Sequence, residues 1–280
     1  DSTSDLDLGT VEFGAEVKFH EWVTGNFLLK GEELDGDDDR VFWDEATITI
    51  QKEGFPLYFV GGKRTQPFGV FNTHTINDPV TQDCYEICKS GATLGFTYDP
   101  IGLDISATVY KGEELMGHLE EAEYGNERNT AGGYEETDDV SSWIGNITIA
   151  PVEGLTLAAY FDSETGDGDN NETAGGMFEY QIGMFTIDAE YIGAINREDK
   201  GDGEEHKESA WLGAVACQVM DPLEIALRYE GYDDDISGDQ DGHLEDRYIL
   251  GVNYTLFEKD DFATTLMLEY RRSNYEKESG

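Results

Sequence analysis

The stretch that decides the fold reads Leu103-Asp104-Ile105-Ser106-Ala107-Thr108-Val109-Tyr110. Its odd-numbered residues are apolar and its even-numbered residues are polar. Because successive side chains of a β-strand point to opposite faces, this period of two predicts a strand with one apolar face. The same alternation recurs in residues 155–162 and 223–230, so it belongs to the chain and not to one segment.

Working outward from this stretch, the sequence predicts fourteen strands of about ten residues, joined in alternation by short turns and long acidic loops. This rhythm is typical of outer-membrane barrels, whose short turns face the periplasm and whose long loops face outside. The predicted strands cover residues 6–20, 22–32, 41–52, 56–64, 90–99, 101–111, 141–151, 154–163, 173–182, 184–194, 208–219, 222–232, 244–256 and 262–275.

We therefore predict an all-β fold, a transmembrane antiparallel up-and-down β-barrel in the bacterial outer membrane, with residues 1–280 forming a single domain. Fourteen strands would leave both ends of the chain outside, so we expect about sixteen strands in the complete protein. The alternative is a soluble β-sandwich, which does not require this rhythm of turns. Aromatic residues near predicted strand ends, such as Trp22 and Trp143, favour the barrel because they form interfacial girdles.

The composition excludes some classes of protein. The formal net charge is -43, from 61 acidic against 18 basic residues, which argues against a nucleic-acid partner. No run of about 18 apolar residues occurs, so we expect no transmembrane helix. The 5 His are scattered and form no catalytic constellation, so we expect no enzyme and no required cofactor.

The polar faces of the strands of such a barrel line its lumen, where mixed charge selects solutes by size and charge. Lys63 ends the fourth predicted strand, where a cation would offset an otherwise acidic passage. The alternative is that these charges pair with one another and only hydrate the wall. The predicted pore-lining residues are Lys63, Arg228, Arg247, Arg271, Glu12, Glu190 and Glu224.

One acidic loop has the spacing of a calcium site. Oxygen-bearing side chains alternate from Asp233, and Gly238 follows at the sixth position, where it permits a sharp turn. Leu244 stands where the final Glu of such a loop belongs, so the alternative is a solvated acidic loop. The candidate Ca²⁺ ligands are Asp233, Asp235, Ser237 and Asp239.

Cys84 and Cys88 are candidates for a disulfide. If the stretch between them forms one helical turn, their Cα atoms are about 6 Å apart, within disulfide reach. A bond of this kind would persist in an oxidising exterior. Two Cys do not make a structural zinc site, which needs four ligands.

A strand ending in Gly61-Gly62-Lys63-Arg64 is followed by Pro67-Phe68-Gly69 and then by Asp78-Pro79-Val80-Thr81. This order resembles the siderophore porin family first described in Legionella, and the upstream Asp44-Glu45-Ala46 is similar to a stretch of that family. The resemblance implies an outer-membrane barrel and TonB-independent uptake of ferric siderophore. The family usually has acidic residues after the Asp-Pro motif, where this chain has Cys84 and Cys88.

We expect a porin-like channel for passive uptake of small solutes, with a ferric siderophore or a similar chelate as the solute. Residues 65–89 would fold inward as its constriction, the alternative being a surface loop. The rival functions are a general diffusion porin and a structural or surface-layer barrel with Ca²⁺-binding loops. The expected partners are outer-membrane lipid, lipopolysaccharide, the solute and two further copies in a homotrimer.

Overall fold

The computed structural model confirms the predicted all-β fold. It describes residues 9–32, 40–121, 139–166, 169–199, 205, 207–233, 244–259 and 262–275. Over these residues, fourteen strands form one antiparallel sheet in which each strand pairs with its neighbours in the sequence. Each predicted strand has its counterpart in the sheet, whereas the total of sixteen strands and the single domain stay predictions.

The strands are β1 (Thr10–His20), β2 (Val23–Glu32), β3 (Arg40–Gln51), β4 (Leu57–Thr65), β5 (Cys88–Tyr98), β6 (Leu103–Tyr110), β7 (Ser142–Val152), β8 (Leu155–Thr165), β9 (Asn170–Ile182), β10 (Phe185–Asn196), β11 (Ser209–Met220), β12 (Leu223–Asp233), β13 (Leu244–Lys259) and β14 (Phe262–Tyr275). Two helices lie between them, α1 (Val80–Tyr85) and α2 (Glu114–Glu121). Within the described residues, β1 and β14 are the two edges of the sheet.

The two faces of the sheet differ as the alternation predicts. The outer face carries exposed apolar side chains on every strand except β2, and Leu227 in β12 is 60% exposed. Aromatic rings lie together there, with the rings of Tyr229 and Tyr248 stacked at 4.5 Å and that of Trp211 4.8 Å from Tyr229. A continuous apolar surface of this extent suits lipid contact and not water.

The turns at one end of the sheet are short. Gly154 in the turn between β7 and β8 has φ +81°, and a Cβ there would lie 2.4 Å from the carbonyl oxygen of Gln181. Most connections at the other end are longer. The predicted ends of two strands there are wrong. β8 and β9 extend further than predicted, so Glu164 and Glu172 lie in strands and not in an acidic loop.

The helices are short and were not predicted from the sequence. In the part of the chain that the structure describes, neither helix has the length and apolarity needed to cross a bilayer. Both belong to connections between strands, and both are folded toward the inner face of the sheet.

A candidate constriction inside the barrel

The connection between β4 and β5 folds into the barrel. We call residues 66–87 the inner segment; it contains α1. Its side chains Phe68, Val80 and Ile87 are fully buried. The amide of Gln66 donates to the carbonyl oxygen of Ile87 over 2.7 Å, which closes the neck of the segment. The inward fold predicted for residues 65–89 is therefore present in the structure.

The inner segment crosses the lumen from one part of the wall to another. Near its start, Asn146 in β7 donates to the carbonyl oxygen of Pro67 over 3.1 Å. Near its middle, the amide of Ile76 donates to Glu269 in β14 over 2.9 Å. Because β7 and β14 are seven strands apart in the sheet, the segment spans the interior.

Carboxylates of the wall replace the backbone partners that an irregular segment lacks. Glu190 in β10 accepts the amides of Val70 and Phe71, at 2.8 and 3.3 Å, and the hydroxyls of Thr81 and Tyr160. Similarly, Glu230 in β12 accepts the amide of Val80, and Glu269 accepts those of Ile76 and Asn77. Buried amides need such partners, so these acids fix the path of the segment.

Donors of the wall serve the carbonyl oxygens of the segment. The guanidinium of Arg228 donates to the carbonyl oxygens of Asn77 and Asp78 over 3.1 and 3.0 Å. Asn253 donates to that of His74 over 2.9 Å. A Cβ on Gly251 in β13 would lie 3.1 Å from the same oxygen, so glycine permits the close approach there.

Two polar side chains of the segment reach wall carboxylates. Asn72 donates to Glu179 over 2.7 Å and to Asp188 over 3.1 Å. His74 lies between two acids, with Nε2 3.0 Å from Asp188 and Nδ1 3.4 Å from Glu224. The hydrogen bond to Asp188 raises the pKa of His74 above its ordinary value, although partial burial opposes the shift.

The second helix fills the interior beside the inner segment. Leu115 and Leu119 of α2 are buried in one apolar cluster with Tyr85 of α1. Glu164 in β8 accepts the amides of Leu115 and Met116 at the start of α2, at 2.7 and 3.1 Å. A carboxylate at this end accepts hydrogen bonds from amides that have no partner within the helix, and its negative charge interacts favourably with the helix dipole.

A part of the inner face stays open to water. Glu12, Glu16 and Lys18 on β1 are exposed, and Lys30 on β2 is half-buried beside Glu32. Arg271 on β14 pairs in register with Ile249, whose side chain is buried on the inner face, so Arg271 also points inward and is exposed. Both signs of charge therefore lie on the inner face near the two edges of the sheet.

Six of the seven predicted pore-lining residues lie on the inner face. Glu190, Glu224 and Arg228 contact the inner segment, and Arg247 pairs with Glu230 at 3.2 Å. Glu12 and Arg271 are exposed there. Where the inner segment fills the lumen, the charges of the wall are paired, as the alternative interpretation expected. The selective role of the predicted residues stays a prediction.

The placement of Lys63 in the lumen was wrong. Lys63 shares its face of β4 with the exposed Leu57 and Phe59, and it pairs in register with Ala46 and Ser90 on the outer side. Its ammonium group donates to the carbonyl oxygen of Trp43 over 2.9 Å. Arg64 instead occupies the inner face.

The predicted disulfide is absent, because Cys84 and Cys88 are free thiols. The helix ends at Tyr85 and the backbone is already extended at Glu86, so the two Cys do not share a helical turn. Cys88 begins β5, and Cys84 is buried in the apolar cluster. Burial raises the pKa of the Cys84 thiol well above its ordinary value and makes it unreactive.

The calcium site stays a prediction. Asp233 ends β12, whereas Asp235, Ser237 and Asp239 lie outside the described residues. Among the residues that the structure describes, no group of three or more His, Cys, Asp or Glu is arranged to hold a metal ion.

The sequence alone did not reveal how the inner segment is bound to the wall. It did not assign Asn72 or His74 to the wall, because contacts across more than a hundred residues leave no local pattern. Glu230 and Glu269 were likewise not assigned as acceptors for the inner segment. A cluster of inward carboxylates opposite a long loop was the available signal.

Comparison with known proteins finds a relative in sequence. The chain is 28% identical over 290 residues to the "UPF0422 protein" of Coxiella burnetii (strain RSA 493 / Nine Mile phase I), which covers 97% of this chain and 60% of that protein. This chain therefore spans about 60% of the length of that relative. No family model matches the chain.

Comparison with solved structures gives porins. The outer membrane channel DcaP of Acinetobacter baumannii has a TM-score of 0.63 at 12% identity, covering 96% of this chain and 82% of that one. The anion-selective porin from Comamonas acidovorans has a TM-score of 0.62 at 11% identity, covering 94% of this chain and 78% of that one. Salmonella typhi OmpF has a TM-score of 0.60 at 11% identity, covering 97% of this chain and 93% of that one. At these identities the likeness establishes the fold alone, an antiparallel up-and-down β-barrel like those of the three outer-membrane channels.

Proposed function

We propose that this protein is a passive channel of the outer membrane for small hydrophilic solutes, narrowed by the inner segment. The observation that carries the proposal is the inner segment itself, which crosses the lumen and bonds to the far wall at Glu190, Glu230 and Glu269. A segment held this way limits the size of what passes, because its backbone cannot move aside without losing buried hydrogen bonds.

The route of the solute runs along the open inner faces of β1, β2 and β14. Glu12 and Glu16 oppose the charges of Lys18 and Arg271 on this route. Mixed charge across a water-filled passage sorts solutes by charge as well as by size. Movement is diffusion down a gradient, and no step requires a cofactor or an energy source.

We further propose a ferric siderophore or a similar ferric chelate as the solute, taken up without TonB. The support is the resemblance of residues 57–81 to the siderophore porin family. These residues form β4 and most of the inner segment, up to Thr81 in α1, so the resemblance falls on the part of the chain that narrows the lumen.

Reconstitution into planar bilayers and vesicles tests the channel. Single-channel currents should be measurable, and vesicles should swell with small sugars but not with large ones. A protein that inserts but stays silent would contradict the channel and would favour the structural barrel.

A filter assay with a radiolabelled ferric chelate tests the solute. The chelate should enter the vesicles several-fold faster than a neutral sugar of similar mass, without any energy source. Equal rates for the two solutes would leave a general diffusion porin.

A further inference from the structure

The imidazole of His74 is enclosed by acceptors on both sides. Nε2 lies 3.0 Å from Oδ2 of Asp188 in β10, and Nδ1 lies 3.4 Å from Oε1 of Glu224 in β12. Ionised carboxylates accept hydrogen bonds and donate none, whereas a neutral imidazole carries a single N–H. Only the imidazolium form, with two N–H groups, satisfies both contacts.

The charges around His74 favour that cation. Asp188 of β10 contacts the imidazole directly. Glu179 of β9 accepts a hydrogen bond from the nearby Asn72, and Glu269 of β14 accepts one from the amide of Ile76. Besides Glu224, β12 contributes Arg228, whose guanidinium is directed to Thr73 and to the carbonyl oxygens of Asn77 and Asp78. From β13, the uncharged Asn253 faces the segment. Two acids thus contact the imidazole itself, and two further acids and one base bind its neighbours in the segment.

We propose that His74 is a pH-sensitive latch, which in its protonated form fixes residues 72–77 of the inner segment to β10 and β12. Loss of the proton removes one of the two contacts and takes one positive charge out of the lumen. Residues 72–77 then lose an anchor at His74 and loosen around it, while Arg228 and Glu269 still bind Thr73, Ile76 and Asn77. Glu190 and Glu230 continue to hold the flanks of this stretch.

The direction of the effect follows from the pKa. The pKa of His74 is raised, chiefly by the hydrogen bond to Asp188. A group with a raised pKa stabilises the folded arrangement fully below its ordinary pKa of about 6.5, and that stabilisation is lost as the pH rises through the raised value. The latch is therefore closed below about pH 6.5 and opens as the pH rises through the raised pKa of His74.

The first experiment records single-channel currents between pH 5 and pH 9, and it rests on the proposed channel function. Wild-type current noise should rise several-fold across a transition whose midpoint lies above about pH 6.5. His74→Lys keeps a cation at all these pH values and should remain quiet. Glu224→Gln should move the midpoint to lower pH, and the control His20→Gln at the distant short turn should leave it unchanged.

The second experiment does not depend on conduction. Hydrogen exchange of a peptide covering residues 72–79 is measured in vesicles and expressed as the ratio of wild type to His74→Lys, which cancels the intrinsic effect of pH. The ratio should be near one in acid and rise several-fold in alkali. A flat ratio would overturn the latch even if the channel conducts, and silent bilayers with a rising ratio would overturn only the channel.

The remaining outcomes are equally decisive. A pH transition that persists in His74→Lys, or one that disappears in His20→Gln, would assign the effect to another group. If His74→Lys does not insert, an unchanged midpoint in Glu224→Gln would overturn the proposal by itself.

Discussion

At the scale of single residues, Arg64 is the cation of β4 whose side chain faces the lumen. Its guanidinium lies on the inner face of β4 and donates to Thr93 over 3.0 Å. Parity is hard to assign across this strand, because Val60 is an apolar residue buried on the inner face and Gly61 and Gly62 carry no side chain to mark a face. The side chain next to the predicted one therefore faces the lumen.

We predict that Arg64→Gln shifts the channel toward cation selectivity, because it removes a positive charge from an acidic lumen. The reversal potential across a salt gradient measures this shift. Lys63→Gln is the matched control on the opposite face and should leave the reversal potential unchanged. The reverse result, with only the Lys63 variant shifting the potential, would restore Lys63 to the lumen.

Glu190 is a buried anchor of the inner segment. It accepts two amides of the segment and the hydroxyls of Thr81 and Tyr160 while itself buried. Glu190→Gln replaces an acceptor oxygen by a donor, so we predict a loss of about 2 kcal/mol in anchoring, the scale of hydrogen bonds to a charged group. Larger sugars should then enter vesicles, whereas Glu16→Gln, which is exposed on β1, should not change the size limit.

At the scale of elements, the strands could be predicted and the helices could not. Alternation such as that of residues 103–110 persists through each strand because lipid lies on one side and the lumen on the other. α1 and α2 are too short for a helical period to be recognised, and they are buried by contacts with distant strands. Glu164 shows the same limit, since an acid in a predicted loop proves to be a buried strand residue that caps α2.

The alternation makes a prediction about assembly. Leu227→Arg on the outer face of β12 should hinder insertion, since an Arg on the lipid face costs about 2–4 kcal/mol near the midplane. Asn26→Arg on the inner face of β2 should assemble normally, because its side chain is half-exposed inside the barrel. Ala226 is unsuitable as the control, because it is inward but buried. Heat-modifiable mobility in electrophoresis measures assembly, and equal damage by the two variants would contradict the assignment of the faces.

At the scale of the whole molecule, the sheet that forms the wall and the inner segment that it encloses are stabilised by different interactions. The wall is a sheet of consecutive pairs, and β4 pairs with β5 from Leu57 to Thr65 without help from the inner segment. The inner segment is held by side chains of the wall and not by strand pairing. Constriction and barrel should therefore respond to different changes in the chain.

Removing the inner segment tests this separation. Gln66 and Ile87 are hydrogen-bonded at the neck, so a short Gly-Ser turn can replace residues 68–86 and join β4 to β5 as a hairpin. The barrel should still assemble, because water can enter and hydrate Glu190, Glu230 and Glu269 once the segment is gone. Conductance should rise several-fold, and vesicles should admit sugars that the wild type excludes. If the shortened protein assembles but keeps the wild-type conductance and size limit, the solute does not pass the inner segment, and the constriction must lie elsewhere in the chain.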